Sequence, residues 1–496
     1  MTAGFDHSYA ALGEDYAAAQ PPTPVAKPAW LAFNTALAAS LEWPADWCGN
    51  DVALNALAGN GLLPGSEPVA TAYAGHQFGS YNPRLGDGRA VLLGEWLTDA
   101  GERFDIQLKG AGRTPFSRGG DGRSPVGPVV REYLLSEAMH SLGVPTTRAL
   151  AAVSTGERVF REAVEPGAVL TRVASSHLRI GTVQYFAMTR HGEGLQALVD
   201  YVTQRHYSSE LERARSADPA IPAAQVLLAS YTPALAALVA RWQVLGFVHG
   251  VLNTDNMLLC GETVDYGPCA FMDRFDPEAR FSSIDTGGRY AWPNQPQIAH
   301  WNLSVLAQCL LPLLDADQER ALAIAQAEVD AFPGHYFNAH GALLAARFGL
   351  EAWREDDRKL VDAFYRTLAE DALDHTLAFR WLAELANDTL DETPLPELFT
   401  PSPRLRAWLD DWRGRRGDAD VDLTAQNAAM LAHSPSVIPR NHQVARAIAA
   451  AEQGDTSVLA QLSRRWHQPF AWQPGDLELA RPPEPEEVVQ RTFCGT

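Results

Sequence analysis

The stretch from His249 to Gly267, HGVLNTDNMLLCGETVDYG, constrains the chain more than any other part of it. It holds two polar clusters, residues 253–256 and 265–267, separated by the apolar residues 257–259. An apolar run of this length is typical of a buried strand, which would hold both clusters on one rigid support. The clusters supply carboxylate and amide oxygens, which suit Mg²⁺ carrying the phosphates of a nucleotide. The stretch therefore predicts a metal-dependent nucleotide site.

The order of residues in this stretch resembles the catalytic loop and the metal-binding aspartate of protein kinases. The pattern H-x-x-L-x-x-x-N ends at Asn256, and Asp265 follows in D-Y-G. Kinases carry their catalytic aspartate two residues after the histidine, where this chain has Val251. Asp255 is the nearest replacement. We therefore expect a kinase-like nucleotide pocket whose base has moved.

An upstream strand and helix predict a cation for this pocket. Residues 104–110 alternate like a strand with one buried face, and Lys109 lies on the polar face. Residues 130–142 read as a helix on which Glu132 shares one stripe with Leu135 and Met139. A carboxylate buried on an apolar stripe needs a cation, and Lys109 is the candidate. A strand lysine paired with a helix glutamate positions phosphates in kinases.

Glycines and arginines surround these elements. The turn 85–89 and the loop 110–128 are rich in glycine, and glycine lets backbone N–H groups approach a phosphate without interference from a Cβ. An ordinary hairpin turn is the alternative for 85–89. The loop also holds three arginines, which makes anion binding a second interpretation of it. Arg172 and Arg179 follow near predicted strands and read, by themselves, as surface charges.

Composition excludes some partners. Sixty acidic and forty basic residues give a formal net charge of −20, whereas nucleic acids and anionic membranes both attract basic surfaces. We therefore expect neither as a partner. Five scattered cysteines without a C-x-x-C motif indicate a reducing compartment, and the first residues lack the features of a secretory signal, so we expect a cytoplasmic protein.

The organisation predicted along the chain is of the α+β class. Residues 1–66 are expected to form an N-terminal extension packed on the core, residues 67–190 a β-rich lobe with the Glu132 helix, and residues 191–496 a mainly helical lobe. Residues 219–240 carry no charge but contain three prolines, so we interpret them as a core helix after a loop rather than a membrane span. Thr232 and Pro233 suit the start of the helix that enters the catalytic loop 249–256.

Seven motifs in a fixed order carry a resemblance that spans most of the chain. They are YAGHQFG, LGDGR, QLKGAGRTPFSR, GDGRS, LTRVASSHLR, HGVLNTDNM and DYGP. With them the chain resembles the selenoprotein O family of protein adenylyltransferases, which have a protein-kinase-like two-lobed fold. The resemblance implies that ATP binds inverted relative to a kinase, and that AMP is transferred to serine, threonine or tyrosine hydroxyls of proteins.

The resemblance also assigns roles to residues of this chain. Asp255 would be the catalytic base, and Asn256 and Asp265 would hold Mg²⁺, or Mn²⁺ in its place. The nucleotide would contact Gly86, Gly88, Arg89, Lys109, Asp121, Gly122, Arg172 and Arg179, with Glu132 as the partner of Lys109. The implied substrates include redox proteins, and we expect a monomer.

The C-terminal end matches the family in part. Cys494 stands third from the end, where members often carry selenocysteine or cysteine, but the tail has no second cysteine. We therefore expect a free thiol there.

Two alternatives to AMP transfer follow from the residues alone. An ordinary phosphotransferase would use the same site to move the γ-phosphate. A non-catalytic nucleotide-binding scaffold would explain Val251 at the usual position of the base.

Overall fold

The structure of the protein is a computed structural model that describes residues 3–189, 191–417, 422–490 and 492. Cys494 lies outside the described residues. A large sheet occupies the chain up to residue 174, and helices dominate from residue 180 onwards. The α+β class predicted from the sequence is confirmed.

Among the described residues there are thirteen strands. They are β1 Gly4–Asp6, β2 Ala17–Ala19, β3 Ala29–Phe33, β4 Val69–Thr71, β5 Gly75–Gln77, β6 Ser80–Asn82, β7 Ala90–Leu97, β8 Arg103–Lys109, β9 Ser124–Pro125, β10 Arg148–Phe160, β11 Val164–Ala174, β12 Phe247–Val248 and β13 Ala270–Phe271. The main sheet has the order β2-β4-β7-β8-β11-β10-β3, with β1 joined to β7 and β9 to β11. Three of these strands come from residues 1–66, so this segment extends the sheet itself.

Helices cover most of the remainder. The α-helices are α1 Thr35–Ser40, α2 Asp51–Ala58, α3 Val126–Ser141, α4 Ile180–Met188, α5 Gly192–His206, α6 Ser208–Ala217, α7 Ala223–Leu245, α8 Gln295–Leu314, α9 Gln318–Phe348, α10 Asp357–Glu370, α11 His375–Asn387, α12 Leu395–Leu398, α13 Pro403–Arg416, α14 Thr424–His433, α15 Asn441–Glu452, α16 Ser457–Trp466 and α17 Asp476–Ala480. Short 3₁₀ helices span Ala10–Leu12, Ala45–Trp47, Thr254–Asn256, Trp292–Asn294 and Leu390–Glu392.

The register of the sheet positions the cations of the site. Lys109 ends β8, where it pairs with Ala90 on β7 and Leu170 on β11. Arg172 on β11 pairs with Gln107, two residues before Lys109 on the same strand. Directly paired residues project on the same face of a sheet, and so do residues two apart on one strand. Lys109 and Arg172 therefore project on one face, towards α3.

The prediction that β8 has one solvated face is wrong, because both faces are covered. Asp105, Gln107 and Lys109 are all buried, as are the apolar residues between them. Asp105 accepts hydrogen bonds from Arg205 (2.7 Å) and from the backbone of His177 (2.8 Å). Buried polar groups of this kind persist because each has a partner. The sequence pattern could not show those partners, which come from distant elements.

The core has two covered sheet faces and a large helical part. Apolar residues of β7, β8, β10 and β11 pack against α1 and α2 on one face. The largest cluster joins residues of α3, α4 and α5 to the long helices α7, α8 and α9. A further cluster lies between α9, α10, α11 and α13.

The helix that enters the catalytic loop differs from its prediction. It begins at Ala223, so Pro233 lies inside α7 and the predicted start at Thr232 and Pro233 is wrong. The Thr232 hydroxyl donates to the Leu228 carbonyl (2.8 Å), and the buried surface of the helix stabilises it across the proline. Length and composition would allow α7 to cross a membrane, but 67% of its most apolar window is buried inside the protein. This agrees with a core helix.

The predicted strand at residues 257–259 is also absent. Met257 and Leu258 form only isolated bridges, to Thr263 and Arg179. The segment is nevertheless rigid, since the Met257 carbonyl accepts from Ile180 (2.9 Å) and the Leu259 N–H donates to Leu178 (2.8 Å). The two polar clusters are thus supported by hydrogen bonds to the segment before α4 and not by a sheet.

Candidate active site

A cavity of about 830 Å³ lies where the sheet, the loop 110–123 and the catalytic loop meet. All but one of the predicted site residues line it. These are Gly86, Gly88, Arg89, Lys109, Asp121, Gly122, Arg172, Arg179, Asp255, Asn256 and Asp265. The exception is Glu132, which lies behind the wall and contacts two of the lining cations. Residues almost 180 positions apart in sequence thus share one cavity.

The predicted contact between Lys109 and Glu132 is present. The Lys109 ammonium donates to Glu132 Oε2 at 2.6 Å and to Asp265 Oδ1 at 2.9 Å. Arg172 donates to the other oxygen of Glu132, and its Nη2 lies 3.5 Å from Asp265 Oδ1. Two cations therefore hold two carboxylates in a closed network. Sequence reasoning found the lysine and both acids, but it did not find that Arg172 completes the network.

Electrostatics keep both carboxylates ionised. Burial by itself would raise the pKa of Asp265, but Lys109 and Arg172 outweigh it and hold that pKa well below its ordinary value. Burial also opposes ionisation of Glu132, and Arg172 and Lys109 again bring its pKa below the ordinary value. Asp265 has a left-handed backbone, with φ of 69°, which is uncommon outside glycine and is often found at functional sites.

Asp255 has the opposite environment. Its carboxylate is buried, and this burial raises its pKa to about 6 despite the attraction of Arg179. Gln77 donates to Oδ2 at 3.1 Å. Oδ1 is buried without a hydrogen-bond partner among the described residues. A carboxyl group with a pKa near neutrality can accept a proton from a substrate and release it again at physiological pH.

Arg179 also contacts the catalytic loop, which the sequence did not indicate. Its Nη1 donates to the backbone carbonyl of Asp255 at 2.7 Å, and its guanidinium carbon lies 4.4 Å from the centre of the Tyr73 ring. Nη2 is 3.9 Å from Asp87 Oδ1. Arg179 therefore fixes the position of Asp255 as well as lining the cavity.

The glycine turn does not offer its N–H groups to a phosphate. The N–H groups of Gly86, Asp87 and Gly88 donate to the carbonyls of Tyr73, Thr71 and Gly86, at 3.0, 3.0 and 2.8 Å. A Cβ on Gly86 would lie 2.2 Å from the ring of Phe116, so close packing explains this glycine. At Gly86, Asp87 and Gly88 the predicted N–H cradle is wrong, because hydrogen bonds to the carbonyls of Tyr73, Thr71 and Gly86 already use those donors. These three N–H groups are therefore unavailable to an anion.

Charge in the cavity contrasts with the rest of the chain. Eight basic and four acidic side chains line it, whereas the whole chain has a formal net charge of −20. Lys109, Arg172 and Arg179 are buried at its inner end, and Phe160 and Ile284 are well exposed at its edge. Asp121 is exposed and paired with Arg161 at 2.9 Å. The lining thus has an excess of basic side chains, the buried end pairs cations with carboxylates, and the edge offers apolar surface.

A metal ion would find oxygen ligands beside these cations. The Asn256 amide nitrogen donates to the Val251 carbonyl at 3.1 Å, which leaves the amide oxygen as the group available to the cavity. Asp265 is ionised and its side chain is 19% exposed. The described residues contain no group of three or more His, Cys, Asp and Glu side chains that could hold a metal ion by themselves. Mg²⁺ commonly uses only one or two carboxylates and takes other ligands from phosphates and water, so this donor set fits it.

Sequence reasoning missed the β5–β6 hairpin as part of the site. This hairpin lies on the catalytic loop, where the backbone of His76 donates to Thr254 Oγ1 at 2.7 Å. Gly75 approaches Asp255 so closely that an added Cβ would lie 2.6 Å from Oδ1. The motif YAGHQFG was the available signal, but nothing in its local pattern indicates a partner 178 residues away.

We expect Gly75→Ala to lower the activity of the protein by about 100-fold with a modest loss of stability. The φ of Gly75 is not in the left-handed region, so alanine fits the backbone, but its Cβ would lie 2.6 Å from Asp255 Oδ1 and 2.9 Å from Leu85 Cδ1. The added methyl group would displace the carboxylate, and overpacking of this kind costs about 1–3 kcal/mol. Transfer assays and thermal unfolding measure the two effects. Gly61→Ala is the control, since its Cβ would meet nothing within 4 Å; equal activity in both variants would contradict the expected displacement.

Comparison with known proteins identifies the family of the chain. The sequence profile of the family described as "Protein adenylyltransferase SelO" matches residues 1–467. The chain belongs to this family. Membership of the SelO family makes the chain an enzyme, a protein adenylyltransferase.

Several proteins similar to this SelO family member align with nearly its whole length. Protein nucleotidyltransferase YdiU of Rhodopseudomonas palustris (strain BisB5) is 48% identical over 493 residues, which is 99% of this chain and 99% of that protein. The protein of the same description from Rhizobium etli is 48% identical over 494 residues, 99% of this chain and 97% of that protein. That of Anoxybacillus flavithermus is 47% identical over 493 residues, 99% of both.

Proposed function

We propose that the cavity binds ATP with its phosphates at the inner end, and that AMP is transferred there to a hydroxyl group of a protein. The observation that carries this proposal is the placement of Lys109, Arg172, Asn256, Asp265 and Asp255 in one positive cavity of an otherwise acidic chain. A triphosphate needs buried positive charge, whereas a nucleobase needs apolar surface. Lys109, Arg172 and Arg179 lie at the inner end and exposed apolar side chains at the edge, which supports a nucleotide inverted relative to a kinase.

The chemistry assigned to the residues follows from their environments. The acceptor oxygen forms a bond to the α-phosphorus, and the bond from that phosphorus to the bridging oxygen breaks, which releases pyrophosphate. Asp255 accepts the proton of the acceptor hydroxyl. Lys109 and Arg172 stabilise negative charge that spreads over the phosphate oxygens, and burial strengthens this effect because water is excluded. Glu132 holds both cations in place.

A divalent cation is assigned to Asn256 and Asp265. These two residues would hold Mg²⁺, which would supply positive charge and help to orient the phosphates. Mn²⁺ has similar ligand preferences and is expected to replace it. The left-handed backbone of Asp265 and the hydrogen-bonded amide of Asn256 hold these two oxygen donors ready.

The division into lobes is part of the proposal. Residues 67–190 would form the N-terminal lobe of a kinase-like fold and residues 191–496 the C-terminal lobe, with residues 1–66 extending the sheet of the first. The position of the cavity between the sheet and the catalytic loop supports this division. The acceptors would be serine, threonine or tyrosine residues of proteins, redox proteins among them, modified by a cytoplasmic monomer.

The decisive experiment uses ATP labelled at different phosphates. We expect label from α-³²P-ATP on an acceptor protein or on the enzyme itself, and none from γ-³²P-ATP. Intact-mass analysis should show the addition of one AMP. Label from the γ-position without label from the α-position would establish a phosphotransferase and overturn the proposal. Asp265→Ala is the control, because loss of a metal ligand should remove labelling from either position.

A further inference from the structure

The hairpin β5–β6 meets the catalytic loop through three consecutive residues. The backbone N–H groups of His76 and Phe78 donate to Thr254 Oγ1 (2.7 Å) and Asn253 Oδ1 (3.2 Å), and the side chain of Gln77 donates to Asp255 Oδ2 (3.1 Å). Each bond joins parts of the chain at least 175 residues apart. The hairpin thus binds two neutral side chains of the loop as well as its carboxylate.

Strand geometry gives the two faces of β5 different tasks. Residues 75 and 77 lie on one face because successive side chains of a strand alternate. That face contacts Asp255: Gly75 lies over Oδ1, and Gln77 binds Oδ2. The opposite face carries His76, whose Nδ1 lies 2.8 Å from Nε2 of Gln184 on α4. One face therefore contacts the carboxylate, and the other contacts α4.

The two oxygens of Asp255 are not equivalent. Oδ1 is buried beneath Gly75, without a partner among the described residues, so an acceptor hydroxyl cannot reach it. Oδ2 accepts one hydrogen bond from Gln77, and a carboxylate oxygen has a second lone pair for another donor. The carboxylate as a whole lines the cavity. An incoming hydroxyl must therefore meet Oδ2.

We propose that Gln77 is a positioning residue that fixes the rotamer of Asp255, so that Oδ2 receives the proton of the acceptor hydroxyl. This inference rests on the proposed function, since it requires Asp255 to be the base. Gln77 acts through Asp255 and is not required for binding the triphosphate, whose cations Lys109 and Arg172 lie on the sheet. Loss of the Gln77 amide should therefore lower kcat and leave nucleotide binding unchanged.

The test combines steady-state kinetics with a double-mutant cycle. Gln77→Met removes the donor while keeping the length of the side chain, and we expect kcat to fall about 10- to 100-fold because one hydrogen bond to a charged group is lost. The KM for ATP and the Kd for the nucleotide should stay within about twofold. In the Asp255→Asn background, Gln77→Met should leave the residual rate unchanged, because a residue that acts only through Asp255 has no further effect.

Controls separate positioning from general support. Gln196→Met removes a Gln-to-Asp hydrogen bond of the same kind, the 3.0 Å bond to Asp200 on the exposed surface of α5, and should leave kcat within about twofold. If Gln77→Met does not fold, Gln77→Leu repeats the test, since leucine has no hydrogen-bond donor. An equal fall in the Asp255→Asn background, a parallel rise in KM, or an unchanged kcat would each overturn the role of Gln77.

The same experiments distinguish this inference from the proposed function. If the wild-type protein transfers no α-label, or if Asp255→Asn transfers it normally, the proposed function at this residue fails. If Asp255→Asn is inactive and Gln77→Met is as active as wild type, only the positioning role fails.

Discussion

Asp255→Asn should sharply lower the rate of AMP transfer and at the same time make the protein more stable above pH 6. Removal of a general base lowers rates by about 10²- to 10⁴-fold. The gain in stability has a separate cause: burial raises the pKa of Asp255 to about 6, from an ordinary value of 3.8. The folded protein therefore pays to ionise this group, whereas the unfolded chain does not. Asparagine has a similar shape and carries no charge.

The sign and the pH window follow from these two pKa values. A group whose pKa is raised by folding stabilises the fold only while it is protonated, and that stability is lost as pH rises from about 4 to 6. Asparagine does not titrate. The advantage of the variant over wild type, measured as the difference in the free energy of unfolding, should therefore grow across that window and stay constant above it. The advantage should be at most about 3 kcal/mol.

Urea unfolding at pH 4 and pH 8, with a chelator present, measures this advantage. Asp121→Asn is a matched control in the same cavity. The ion pair with Arg161 lowers the pKa of Asp121, so removal of this charge should lower the free energy of unfolding instead of raising it. If the free energy of unfolding of Asp255→Asn differed from that of wild type by the same amount at both pH values, burial would not penalise the charge. A stable but fully active variant would remove Asp255 from the mechanism.

Lys109→Met should lower kcat/KM by about 10²- to 10³-fold while the fold survives. The ammonium contacts both Glu132 and Asp265, and it is the cation best placed on the strand to meet a phosphate. Its loss removes one preorganised charge from a buried site, which is typically worth a factor of this size. Stability should fall by less than the about 3–5 kcal/mol typical of a broken buried pair, because Arg172 still contacts both carboxylates.

Transfer assays with α-labelled ATP and thermal unfolding test both parts of this expectation. Lys359→Met is the control, since its side chain is 86% exposed and pairs only with Asp356 on the protein surface. Normal transfer by Lys109→Met would mean that the phosphates do not contact this ammonium. Unfolding of the variant would mean that Arg172 does not compensate for the missing charge.

Much of the site could be predicted from short patterns. A carboxylate on the apolar stripe of a helix required a cation, and Lys109 was found because it lies on the polar face of an alternating strand. Asn256 and Asp265 were found because they flank an apolar run in a kinase-like order. The structure places these residues in one cavity, and the family comparison identifies the enzyme class. Their roles in binding metal and nucleotide stay predictions.

Other parts of the site had no signal in the local sequence. Arg172 read as a surface charge, yet it is buried and bound to Glu132. The N–H groups of Gly86, Asp87 and Gly88 looked available, but backbone carbonyls of residues 71, 73 and 86 accept from them. Pro233 looked like the start of a helix, but the buried surface of α7 carries the helix past it. In each case the outcome depended on partners that come from elsewhere in the fold.

The sequence by itself determined which chemical groups the chain brings to its site and which class of fold supports them, because residue type and spacing over a few positions encode helices, strands and turns. Only the tertiary structure decided how those groups behave. Two carboxylates of the same cavity, Asp255 and Asp265, have pKa values displaced in opposite directions. The reason is that Asp265 is packed against Lys109 and Arg172, whereas Asp255 is buried beneath Gly75 with one oxygen unpaired.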